Sequence, residues 1–228
     1  MALPAPYRPL PVVPGLSNYA RKVWWSRFEL IPGVTLKTTV RLRPSLAARA
    51  EEPRHLLPAL LQAASAALSL HPRLNFYTFW GRLYWAGEPV RVGVVVENPD
   101  QTCGMAILSD AHRLSWPELD LAMRKAHHAP PPTILDRLRE AWPVPTYVLE
   151  RISGFHARSY MRHKAPLFIS MLALPGIGAP SFVPAHSMAL LPGWPQGGLL
   201  PLALCFNHQL ANARPVGRLL LTIKDLLE

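Results

Sequence analysis

A histidine stands where the last apolar run of this chain ends. The run "LLPLALCF" is followed by Asn207 and His208, and Asn212 comes four residues after the histidine. An imidazole titrates near neutral pH, so His208 could serve in catalysis if a strand end displays it on rigid scaffolding. The amide of Asn212 could brace the following loop by hydrogen bonding. A purely structural histidine explains the same spacing, because the chain contains nine histidines.

Two elements must position His208. The run before it is too uniformly apolar to face water, which predicts a strand in the interior of a sheet. The residues after it predict a final helix, with Pro215 near its start. The apolar positions expected on its inner side are Val216, Leu219, Leu220, Ile223 and Leu227.

The preceding chain mixes strand and helix patterns. "VTLKTTVRLR" alternates apolar and polar residues, which is typical of a half-buried strand, and "PLFISML" predicts a buried strand. "RHLLPALLQAASAALSLHP" carries an apolar stripe at helical spacing, with Pro58 in its first turn. Short strands are predicted in "RLNFYTF", "RLYWAG", "VRVGVVVEN" and "GMAILSD". "ALPGIGAPSFVP" and "LLPGWPQGG" are rich in glycine and proline, which predicts loops.

The segment "LSWPELDLAMRKAHH" carries a helix start signal. Ser115 is the expected N-cap, and Glu118 three residues later completes a capping box. Leu114 and Leu119 are placed for a hydrophobic staple. Further helices are predicted from Leu16 to Ile31, near residues 134–141 and near residues 145–157.

Prolines at positions 4, 6, 9, 11 and 14 predict an extended arm over residues 1–15, followed by one domain over residues 16–228. Neighbouring strands interspersed with helices predict an α/β (α+β) two-layer fold, in which helices cover an open mixed sheet. No glycine-rich phosphate loop or dinucleotide fingerprint occurs, so a doubly wound nucleotide-binding fold is disfavoured.

The net charge of +10 predicts attraction to polyanions. The basic residues are scattered rather than clustered, which argues against a nucleic-acid-binding module without eliminating it. The two cysteines lack metal-ligand spacing, so no zinc site is expected, and a reducing cytoplasm fits. No apolar stretch is long enough to cross a bilayer, so no membrane contact is expected.

The tail "LPLALCFNHQLANARPVGRLLLTIKDLLE" resembles the end of the catalytic domain of dihydrolipoyl acyltransferases, the core enzymes of 2-oxoacid dehydrogenase complexes. In that family an apolar strand leads to an Asp-His-Arg-x-x-Asp-Gly motif and a helix ending in Leu-Leu-Glu. Chloramphenicol acetyltransferase shares the fold and carries His-x-x-x-Asp. Four upstream segments are also similar: "IPGVTLKTTVRL", "LLPALLQAASAALSLHPRLN", "VRVGVVVENPDQ" and "PLFISMLALPGIGAPSFVP". Together the matches cover about residues 16–228 in the family's order.

The resemblance implies a role for three residues. His208 matches the general base that takes the proton from an acceptor thiol or hydroxyl, so that the acceptor can attack an acyl thioester. Ser170 matches the hydroxyl that hydrogen-bonds the tetrahedral oxyanion. Asn212 matches the second acidic position of the motif, where it would hold the loop. In relatives the site lies between subunits of a trimer.

Several departures from the family pattern favour a second interpretation. Asn207 and Gln209 replace the usual Asp and Arg, and Ala213 replaces a glycine that allows an unusual backbone turn. The alternative is a catalytically inactive trimeric scaffold of the same fold that organises partner enzymes.

The leading interpretation is a stand-alone homotrimeric acyltransferase in the cytoplasm. It would transfer an acyl group between coenzyme A and an unknown acceptor, with acyl-CoA as substrate and no metal. Only the proline-rich arm precedes the domain, so no lipoyl domain is expected within the chain, and other enzyme subunits are possible partners.

Overall fold

The computed structural model describes residues 33–51, 53–79, 82–85, 87–97, 103–127, 165–171, 188–208 and 211–228. The predicted arm, the helix from Leu16 and the helices near residues 134–141 and 145–157 lie outside these ranges. The strands are β1 (Gly33–Arg41), β2 (Phe76–Phe79), β3 (Arg82–Trp85), β4 (Arg91–Glu97), β5 (Cys103–Ser109), β6 (Leu167–Ser170), β7 (Met188–Pro192) and β8 (Leu199–Asn207). The α-helices are α1 (Pro44–Ala47), α2 (Leu57–Leu70), α3 (Trp116–His127) and α4 (Ala213–Leu227). Short 3-10 turns cover Pro53–Leu56, Pro72–Leu74 and Ala111–Arg113.

Six of the strands form one mixed sheet in the order β1-β8-β7-β6-β4-β5. Strands β4, β6 and β7 run parallel to one another, whereas β1 and β5 form antiparallel edges and β8 pairs antiparallel with both β1 and β7. Strands β2 and β3 form a separate hairpin. The open mixed sheet and the interior position of β8 are therefore confirmed.

Helices cover one face of this sheet, and α4 does so with the five residues predicted for its inner side. All five are at most 4% exposed. They pack in one core with the even-numbered residues of β8 and the apolar stripe of α2. Each such leucine contributes roughly 1.5–3 kcal/mol by burial, so α4 is fixed firmly on the sheet. The opposite face buries a smaller cluster, which consists of Phe168, Ala189, Leu191, Ala203 and Cys205.

One loop prediction was wrong at its first three residues. The glycine and proline content of "LLPGWPQGG" predicted a loop from residue 190, but β7 continues through Leu191 to Pro192. Pairing with β6 and β8 explains this, because Leu190 lies opposite Ile169 on one side and Leu204 on the other. Pairing with β8 continues through Pro192 and overrides the local turn preference of these residues.

Two hydrogen bonds at the start of α3 confirm the predicted link between Glu118 and Ser115. The Ser115 N–H donates to Glu118 Oε2 at 2.7 Å, as expected. The Ser115 hydroxyl also donates to the same oxygen at 2.7 Å. These two hydrogen bonds lower the pKa of Glu118. Leu119 is fully buried in the core, and the partly buried Leu114 packs against the same core.

Helix α4 is joined to the turn after α2 by a histidine contact that should make stability depend on pH. Thr222 Oγ1 donates to the Arg218 carbonyl, so it accepts from His71 Nε2 at 2.8 Å. Burial, followed by the positive charge of Arg218, lowers the pKa of His71. The unfolded chain therefore binds this proton at higher pH than the folded chain. The contribution of His71 to the free energy of unfolding is fully present above the unfolded pKa of about 6.5, and it is lost progressively as the pH falls below that value.

We therefore expect the urea concentration at the unfolding midpoint to decrease when the pH is lowered from about 8 to about 5. The decrease should be smaller in His71→Gln than in the unaltered chain. His55→Gln is the matched control, because His55 is an exposed histidine in the 3-10 turn before α2. An identical pH dependence in all three chains would contradict the assignment to His71.

Candidate functional site

His208 is the first residue after β8, and its side chain is exposed. The ring of Phe206 lies 6.3 Å from the His208 ring, centroid to centroid, with an angle of 27° between the planes. Phe206 is 1% exposed and belongs to the core beneath the helices. The imidazole therefore leaves the sheet from a well-anchored strand end, with one flank against an immobile aromatic ring.

The residues around His208 continue directly into α4. Asn207 ends β8 opposite Gly33 and is only 2% exposed. Asn212 is the N-cap of α4 and has extended backbone angles, with φ of −79° and ψ of 149°. Its side chain makes no capping hydrogen bond and is exposed. Ala213 begins the helix, a right-handed conformation that requires no glycine.

Ser170 ends β6 and is 2% exposed. Because side chains alternate along a strand, it lies on the same face as Phe168, which is the face away from α2 and α4. The residue stands at the edge of the sheet where the parallel strands β4, β6 and β7 have their carboxyl ends. Ligands commonly bind at this edge in sheets with parallel strands.

The structure does not bring Ser170 and His208 together within one chain. Strand register places Ser170 level with Leu191 of β7 and Ala203 of β8, whereas His208 follows the far end of β8. Five residues of strand separate Ala203 from His208, which is about 16 Å at a rise of about 3.3 Å per residue. Two interstrand spacings of about 4.8 Å each add to this distance. Within the described residues, His208 and Asn212 share one end of the sheet and Ser170 lies at the other.

Other polar features of the described residues lie away from both places. A cavity of about 360 Å³ is lined by Arg41, Leu42, Arg43, Pro44 and Glu228. It lies at the end of β1 remote from Gly33, and hence from His208. Among the described residues no group of three or more histidines, cysteines or acidic residues could hold a metal ion. The helices described here include none that is long and apolar enough to cross a membrane.

The mixed sheet and the helices that cover it define the fold class of this chain. This chain has the chloramphenicol acetyltransferase-like fold, in which a mixed six-stranded sheet is covered by helices, and its solved structural neighbours include acyltransferases. One neighbour is dihydrolipoamide acetyltransferase of Azotobacter vinelandii, with 21% identity and a TM-score of 0.55 over 92% of this chain and 86% of that chain. Chloramphenicol acetyltransferase is 12% identical, with a TM-score of 0.57 over 94% and 95% of the two chains.

A third neighbour is the truncated catalytic core of the 2-oxoacid dehydrogenase multienzyme complex of Thermoplasma acidophilum. It is 16% identical, with a TM-score of 0.55 over 96% of this chain and 98% of that chain. No family model matches the sequence, and no curated protein matches it. At these identities the comparisons establish the fold, and the chemistry of the site needs its own argument.

Proposed function

We propose that this chain is an acyltransferase that moves an acyl group between coenzyme A and a thiol or hydroxyl acceptor. The observation that carries the proposal is the position of His208, which is exposed at the end of a buried strand. Asn212 follows four residues later, and its side-chain amide makes no capping hydrogen bond to the helix. The Azotobacter vinelandii enzyme was studied for the roles of a serine, a histidine and an asparagine in its catalytic mechanism. There too the asparagine comes four positions after the histidine.

The proposed chemistry begins with a proton transfer. Neutral His208 removes the proton from the acceptor thiol or hydroxyl, which attacks the carbonyl carbon of the thioester. Positioned proton transfer of this kind typically contributes about 10²–10⁴-fold to a rate. The carbonyl oxygen becomes an oxyanion, and the Ser170 hydroxyl donates a hydrogen bond to it. One such donor is typically worth about 3 kcal/mol in the transition state. Collapse of the intermediate expels the coenzyme A thiolate, which takes up the proton from the His208 imidazolium.

This mechanism needs two copies of the chain. A hydrogen bond spans about 3 Å, whereas about 16 Å of strand separates the level of Ser170 from His208 in one chain. We infer that His208 of one subunit meets Ser170 of its neighbour in a cyclic homotrimer. Asn212 would then hold the loop that carries His208. The multienzyme-complex neighbours support an assembly of this kind and leave room for further enzyme subunits as partners.

The second candidate is an inactive scaffold of the same fold. Asn207 and Gln209 beside His208 favour it, since they replace the charged residues of the family pattern. Ala213 does not favour the scaffold, because its backbone is helical and needs no glycine. Both candidates are proposed as cytoplasmic proteins that bind neither metal nor nucleic acid.

Calorimetric titration with coenzyme A and acetyl coenzyme A distinguishes the two candidates without knowledge of the acceptor. We expect saturable binding of both, with a dissociation constant in the micromolar range, which corresponds to about −8 kcal/mol. Titration at two salt concentrations identifies the part of the affinity that comes from the coenzyme phosphates. No detectable binding at either salt concentration would contradict the acyltransferase and favour the scaffold.

A further inference from the structure

A proline ends the hydrogen-bonded ladder between β6 and β7 directly beside Ser170. The Met188 N–H donates to the Pro166 carbonyl at 2.8 Å. The parallel register repeats this bond every two residues, so the N–H of Leu190 faces the Phe168 carbonyl. Continued by two residues beyond Leu190, the same register places position 192 at the Ser170 carbonyl. Position 192 is a proline, which has no N–H. Strand β7 therefore leaves the Ser170 carbonyl without its ladder donor.

The carbonyl that loses this bond belongs to a buried residue. Ser170 is 2% exposed, and a buried backbone carbonyl without a hydrogen bond costs free energy. Pairing with β8 continues to Pro192, opposite Leu202, while β6 ends at Ser170. The two strands thus separate at a fork. The carbonyl to which β7 offers no N–H lies at that fork, within the same residue as the proposed oxyanion donor.

We propose that the Ser170 backbone carbonyl accepts a hydrogen bond from the amide N–H nearest the sulfur of the pantetheine arm of acyl-coenzyme A. The inference rests on the proposed function. In that arm the thioester carbon and the amide nitrogen are separated by the sulfur and two methylene groups. The Ser170 hydroxyl can donate to the thioester oxygen while the carbonyl of the same residue accepts from this amide. Ser170 would therefore contact two groups of the same ligand, and Pro192 is the positioning residue because it offers the Ser170 carbonyl no N–H.

A second proline provides an internal control. The Gly193 N–H donates to the Pro201 carbonyl at 2.8 Å, but Pro201 cannot return the second bond of this antiparallel pair. The Gly193 carbonyl consequently loses a ladder donor in the same way, on the β8 side of β7. Replacing Pro201 restores an N–H of the same kind that does not face Ser170.

The test compares two ligands on three full-length chains: the unaltered protein, Pro192→Ala and Pro201→Ala. The ligands are acetyl coenzyme A and an analogue in which the amide nearest the sulfur is an ester, so that its N–H is replaced by oxygen. We expect the unaltered chain and Pro201→Ala to bind the ester about three- to tenfold more weakly than the amide, as the net value of one hydrogen bond predicts. Pro192→Ala restores the ladder donor, so it should bind both ligands with nearly equal affinity.

Each contrary outcome has a distinct meaning. Equal binding of amide and ester by the unaltered chain overturns the inference, whether or not the variants fold. Discrimination that persists undiminished in Pro192→Ala also overturns it. If the unaltered chain binds neither ligand, the proposed function fails and this inference fails with it.

Discussion

Replacing His208 with alanine is expected to lower kcat/KM for acetyl transfer by about 10²–10⁴-fold, because the variant lacks the general base. Dihydrolipoamide and chloramphenicol serve as the first thiol and hydroxyl acceptors, since the structural neighbours are named for them. The dissociation constant of coenzyme A should change by less than about twofold, because the imidazole acts on the acceptor rather than on the coenzyme.

His55→Ala is the matched control, since His55 is an exposed histidine remote in sequence from the site. It should retain full turnover. If His208→Ala transfers acetyl groups as fast as the unaltered chain, His208 is not the base. The interpretation of an exposed structural histidine would then apply.

Mixing two inactive variants is expected to restore activity. Ser170→Ala lacks the oxyanion donor and His208→Ala lacks the base, so each alone should be nearly inactive. When the two are co-refolded in equal amounts into cyclic oligomers, a site is intact where a Ser170→Ala chain supplies His208 and its neighbour supplies Ser170. Random association gives this arrangement at about a quarter of all sites. Transfer should therefore recover to about 25% of the unaltered rate per site.

The same variants refolded separately and mixed only afterwards are the control, because folded oligomers that do not exchange subunits cannot form hybrid sites. Recovery that is absent after co-refolding, with folded oligomers of the expected mass, would contradict a site shared between subunits. Activity of either single variant near that of the unaltered chain would show that the altered residue has no role in transfer.

Periodicity of apolar residues was sufficient to predict much of the fold. The inner residues of α4 were predicted individually and are all buried, because a helix of this length can bury only one face on a sheet. The uniform hydrophobicity of "LLPLALCF" predicted an interior strand, and β8 is flanked on both sides because such a strand cannot face water. Cap residues predicted the start of α3, since they satisfy backbone donors within one turn.

Local patterns failed where a distant partner decided the outcome. Residues 190–192 had a loop composition, but β8 pairs with all three and β6 pairs with Leu190, which makes them a strand. The family pattern has glycine where this chain has Ala213, which suggested that the backbone turn there would be disturbed. Ala213 instead begins α4, and a helical backbone does not require glycine.

The sequence by itself determined the residue types available for chemistry, the interior strand that displays His208 and the helix that follows it, because these depend on side chains near one another in the chain. The tertiary structure alone decided that Ser170 and His208 lie at opposite edges of the sheet. Strand order and register fix that separation, and both arise from pairing between segments far apart in sequence. The same register, continued by two residues beyond Leu190, places Pro192 at the Ser170 carbonyl, a relation that no spacing along the chain reveals.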